Sequence, residues 1–164
     1  MATSATSTHL PPLGTHVRDE VGRELQATLV ELVDLSLVGK QLHWSVVGPH
    51  FAVLHEKLDE LVDSWRELSD TVAERAVAIG FFPDGQADPV VADGDRTRSS
   101  AVRSRTTMSS ATSPGGWPDV VERARTRIDR LGELDVASQD VLIEVLRELE
   151  KQLWMIRAQL PQGG

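Results

Sequence analysis

The sequence predicts an all-α fold, a four-helix bundle with a long crossover between its second and third helices. Three observations carry that expectation. Apolar residues recur every three or four positions along four separate stretches, the periodicity of a helix with one buried face. Aromatic residues are only 4% of the chain, with four Trp, three Phe and no Tyr, which argues against a β-sandwich or barrel. The periodicity also fails from Gln86 to Pro118, an unusually long interval for one compact domain. At 164 residues, with 40% apolar and 26% charged residues, the chain is long enough to bury one core of its own.

Residues 1–14 are rich in Ser and Thr, end in Leu10-Pro11-Pro12-Leu13-Gly14, and have the composition of a flexible arm. A first helix is expected from Thr15 to about Val46, with Val21, Leu25, Leu29, Leu32 and Ser36 on its inner face. Gly48-Pro49 stops it, because proline biases the residue before it away from helical geometry and itself suits a first helical turn. The second helix is therefore expected from Pro49 to about Ile79, along the stripe Leu54, Leu58, Leu61, Trp65, Leu68 and Val72. Gly80 and Pro83-Asp84-Gly85 close it.

Asp88-Pro89-Val90-Val91 suits the start of a short helix. Arg96–Ser113 has little amphipathic order, and Ser113-Pro114-Gly115-Gly116-Trp117-Pro118 is a strong breaker. A third helix follows from about Pro118 to Leu134, and a fourth from beyond Asp135 to Leu160, with Val141, Leu142, Val145, Leu149, Leu153, Ile156 and Leu160 inward. Trp154-Met155 also reads as core. The bundle thus spans residues 15–160, followed by a short tail, 161–164.

Composition excludes several function classes. The absence of cysteine removes disulfides, thiolate metal sites and cysteine nucleophiles together, so any metal would have to be held by His and carboxylates. Net charge is −8, and residues 1–16 contain no Lys or Arg, so nothing favours a phosphate backbone. No apolar run is long enough for a membrane span, and the first residues lack the pattern of a secretory signal, so the expected location is the cytoplasm.

Three of the five histidines, His43, His50 and His55, fall within residues 43–55. On the second helix His55 and Asp59 stand four residues apart, as do Asp70 and Glu74. With the apolar stripe at zero, these four side chains fall at about 100°, 140°, 160° and 200°, on one flank away from the core. His55 and Glu74 are nevertheless 19 residues apart, about 28 Å along the axis, too far for one ion. Two copies of this helix packed antiparallel about a two-fold axis would bring the His55/Asp59 end of one to the Asp70/Glu74 end of the other, making two identical sites. His43 would add a nitrogen. Such a set suits Fe(II), with Mn(II) and Zn(II) as competitors. Taken singly, the residues have plainer readings: His43 as a cation at a helix C-terminus, His50 as part of the turn, and Glu56, Glu60, Asp63 and Glu67 as a solvated face.

The segment Lys40-Gln41-Leu42-His43-Trp44-Ser45-Val46-Val47-Gly48-Pro49-His50-Phe51, with Leu54-His55-Glu56, Asp59-Glu60 and Asp70-Thr71-Val72-Ala73-Glu74-Arg75, closely resembles the Dps family of mini-ferritins. The order His, eleven residues, His, three, Asp, ten, Asp, three, Glu is complete. Glu150-Lys151-Gln152-Leu153-Trp154 adds a weaker match. The resemblance implies a ferritin-like four-helix bundle with a short extra helix in the crossover, assembling as a shell, a homo-oligomer of twelve subunits. It implies a ferroxidase that oxidises Fe(II) with hydrogen peroxide or dioxygen at inter-subunit sites and stores ferric iron, protecting the cell from oxidative stress. The positions matching His43, His55 and Asp59 would come from one subunit and those matching Asp70 and Glu74 from its neighbour, with Trp44 beside the iron as an electron donor.

The chain departs from that pattern in two places. Members of the family bind DNA through Lys-rich tails, which are lacking here, so DNA binding is not expected. Residues 103–118 stand where relatives carry the first half of their third long helix, so that helix is expected to be truncated. Acidic residues such as Asp129, Glu133, Asp135 and Asp140 suit the attraction of cations toward a pore. The alternative function is a structural, nucleoid-associated shell that coats DNA, with incidental iron chemistry; a third is a metal-free interaction bundle.

Overall fold

The computed structural model describes residues 11–94 and 117–158. They form α1 (Thr15–Ser45), α2 (Phe51–Ala78), the short α3 (Ala87–Gly94), α4 (Trp117–Leu134) and α5 (Val136–Arg157). The expectations for residues 1–10, for Arg96–Ser113, and for Leu160 and the tail lie outside the described residues. Among the described residues no helix is long and apolar enough to cross a membrane.

The apolar stripes become one core. Val21, Leu25 and Leu32 of α1, Leu58, Leu61, Trp65 and Val72 of α2, Trp117 and Leu131 of α4, and Leu142, Leu149 and Ile156 of α5 are all buried in it. Each fully buried side chain of this size contributes about 1.5–3 kcal/mol. Ser36, on the inner face of α1, is buried, and its hydroxyl is satisfied there by donating to the Leu32 carbonyl at 2.9 Å. Trp154 corrects its expected place: it is 68% exposed. Leu153 already faces inward, and one residue further turns the side chain about 100° away.

Helix boundaries follow local chemistry. The second helix starts two residues later than Pro49 suggests, because Gly48 and Pro49 are spent on a turn in which Phe51 N–H donates to Gly48 C=O at 3.1 Å. Gly48 has φ 104°, a conformation that glycine reaches without strain. At the other junction Asp135 alone separates α4 from α5. Its carboxylate accepts from Ser138 N–H at 3.2 Å, capping α5.

Side-chain pairs define the topology. Lys40 meets Asp59 and Gln26 meets Asp84, so α1 and α2 are antiparallel. Ser64 meets Gln152 and Arg75 meets Asp135, so α2 and α5 are antiparallel too. Glu31 holds Arg123 and Arg127 while Glu24 holds Arg130, making α1 and α4 antiparallel. It follows that α2 and α4 run parallel, and only a crossover the length of the bundle can join them. α3 lies in that crossover and packs on α1.

Candidate metal centre

The end of α1 and the start of α2 are held together across the Gly48 turn by a reciprocal clasp. His43 Nδ1 lies 2.9 Å from the carbonyl of His55, and His55 Nδ1 lies 3.1 Å from the carbonyl of His43. A carbonyl oxygen only accepts, so each Nδ1 carries the proton and donates it. In a neutral imidazole that leaves Nε2 of both rings with its lone pair, the state of a metal ligand whose other nitrogen is fixed by the protein. The two rings stack with centroids 3.6 Å apart and planes at 25°. Phe51 covers His55 in turn, at 4.9 Å and 26°. His43 is buried and His55 half-buried.

One turn beyond His55, Asp59 reaches the same place, with Oδ1 3.5 Å from His43 Nδ1. Its closest partner is Lys40, whose ammonium donates to Oδ1. That hydrogen bond, aided by the nearby Lys40 and histidine charges and opposed by desolvation, holds the carboxyl below its ordinary range. The carboxylate is thus ionised and already partnered by a cation. Sequence reasoning missed Lys40, although its place one turn before His43 on α1 was a usable signal.

Asp70 and Glu74 do not join this group. Both are exposed on α2, with Asp70 in a shallow groove at the far end beside Leu29, Arg66, Ser69, Ala73, Pro83 and Gly85. Next to Glu74, Arg75 turns inward to donate to Ser138 Oγ at 2.9 Å and to Asp135 at 2.7 Å, pinning that end of α2 to the start of α5. Asp135, expected among the pore acids, is instead used internally. Burial pushes its carboxyl up, but the bonds from Ser138 and Arg75 outweigh this and leave it lowered. Trp44, adjacent to His43, is 69% exposed, and His50 is exposed at the head of α2 without a side-chain capping bond. Glu56, Glu60, Asp63 and Glu67 are exposed, Glu60 paired with Lys57 and Asp63 with Arg66.

Among the described residues of one chain, no three His, Asp or Glu side chains converge on a point that holds a metal. The protomer offers two oriented imidazoles and a carboxylate at one end of α2 and two solvent-facing carboxylates toward the other.

Comparison with known proteins adds an independent line. Residues 23–163 match the family model described as a ferritin-like domain. The chain is 36% identical over 159 residues to a protein named DNA protection during starvation protein from Mycolicibacterium smegmatis, covering 97% of this chain and 87% of that one. A solved structure of Mycobacterium smegmatis Dps superposes with TM-score 0.86 at 36% identity, covering 98% of this chain and 97% of the other. A structure of Dps from Microbacterium arborescens, described as the high iron form, superposes with TM-score 0.83 at 28% identity, over 91% and 97% of the two chains.

Proposed function

The chain belongs to the Dps family of ferritin-like proteins, and from that premise we propose that it oxidises Fe(II) at sites shared between subunits and stores the ferric product. The observation that supports this reading best is the clasp of His43 and His55, which leaves both Nε2 atoms for a metal, with the ionised Asp59 in the same cluster, 3.5 Å from His43 Nδ1. Asp70 and Glu74 of a neighbouring copy would supply the remaining oxygens. Two imidazoles with carboxylates and no sulfur suit Fe(II) as the substrate.

Each Fe(II) gives up one electron. Two such electrons and two protons reduce one hydrogen peroxide to two waters; dioxygen is the alternative acceptor. The benefit to the cell is the removal of both reagents that generate hydroxyl radical. Trp44 stands next to His43 and, in a chain without Tyr, is the candidate aromatic donor near the site. The shell would be a homo-oligomer, a dodecamer by family analogy, working in the cytoplasm.

Replacing His55 and Asp59 together by Ala should abolish rapid Fe(II) oxidation, followed by stopped-flow absorbance, while circular dichroism keeps the helix content. Unchanged kinetics would reject the assignment. The relatives' name favours a second reading, a nucleoid-associated shell that protects DNA. It requires a gel shift that fades steeply with salt, which a chain of net charge −8 is not expected to give.

A further inference from the structure

Phe51 is the first residue of α2 and remains 47% exposed, outside the buried core. Within one chain an aromatic ring in that place gains little from core burial. It lies nearly parallel to the His55 ring, which lies nearly parallel to that of His43, so the three rings form a continuous stack. Within it His55 has His43 on one face and Phe51 on the other. The imidazole otherwise turns about a soft terminal torsion, and a single Nδ1–H bond to the His43 carbonyl restrains it.

We propose that Phe51 is a positioning residue for the iron site. By covering the second face of His55 it holds the ring in the orientation that keeps Nδ1 on the carbonyl and reserves Nε2 for the metal. The inference rests on the iron reading above and extends it: the site depends on an uncharged, non-ligating residue four positions before His55. Groups that orient a ligand in this way typically change metal affinity about 10–100-fold when removed.

The test uses the full-length assembled protein and Co(II) alone, a redox-inert probe of the same ligand preferences. Phe51→Leu keeps apolar bulk but has no flat face; Phe51→Tyr keeps the face. The Leu variant is expected to bind Co(II) about tenfold more weakly and to shift its visible absorption bands, with native mass and helix content as in the parent. The Tyr variant is expected to stay within about twofold of the parent, since the ring is what acts. Parental affinity and spectrum in the Leu variant would overturn the proposal, and so would a Tyr variant as weak as the Leu one. The His55→Ala/Asp59→Ala double variant separates the two levels of inference. If it binds Co(II) as the parent does, the iron reading fails and takes the proposal with it. If it loses Co(II) while Phe51→Leu does not, only the role of Phe51 falls.

Discussion

Splitting the proposed site between two chains makes a quantitative demand. His55 and Glu74 stand 19 residues apart on one unbroken helix, about 28 Å along its axis. Ligand atoms on a single ion lie within about 4–5 Å of one another, because each bond is about 2.0–2.2 Å. No pair of side chains closes the difference, so a shared site needs the two halves from different subunits. One variant, His55→Ala with Asp59→Ala, lacks the first half; another, Asp70→Ala with Glu74→Ala, lacks the second. Assembled separately, each should have no complete site. Co-assembled in equal amounts at random, about half of the two-fold pairs are mixed, and each mixed pair holds one intact site and one lacking both halves. About a quarter of the parental number of sites should return. Differentially tagged subunits, co-expressed and purified through both tags, can be assayed by stopped-flow Fe(II) oxidation and anaerobic Fe(II) stoichiometry. Dual-tag purification enriches mixed shells, and the composition measured by native mass spectrometry sets the expected fraction. Mixed shells as inactive as the two parents would refute the sharing argument, as would full activity in either variant alone.

Three other outcomes follow from the structure. Glu31→Ala removes the bidentate partner of Arg127, which is 8% exposed and would keep only the more distant Glu24, 3.8 Å away, and should cost about 1.5–3 kcal/mol in urea unfolding of the assembled protein. Asp135→Ala removes the cap of α5 and the Arg75 contact, for a loss of about 1–2 kcal/mol near neutral pH. Because the folded state lowers the Asp135 pKa, its stabilisation is complete above the unfolded value of about 3.9 and is lost as pH falls through the folded value, so melting curves of parent and variant should converge in acid. Lys40→Gln frees Asp59 from a competing cation and should tighten Co(II) binding several-fold in titrations near neutral pH; unaltered or weaker binding would show that Lys40 does not compete.

The helices were readable because their signals are local. A buried face repeats every 3.6 residues, and the breaks at Gly48-Pro49 and Asp135 are written in the residues that make them. The first half of the candidate site was nearly as accessible, since only residues 46–50 separate α1 from α2 and an antiparallel return brings position 43 toward position 55. Trp154 failed for the complementary reason: burial is a property of one face, and a large apolar residue one step off that face gains no neighbours inside the bundle.

By itself the sequence determined the helical class, the inward stripes, the order of ligand-type residues along α2, and the distance that forbids one chain from closing a site. Only the tertiary structure decided which nitrogen of each histidine is committed to a carbonyl, that Lys40 of α1 takes Asp59 of α2, and that Glu31 meets Arg127 across 96 residues of chain. Those pairings depend on the rotation and register of one helix against another. That relation is set by the packing of the whole core, and no stretch of a few residues contains it.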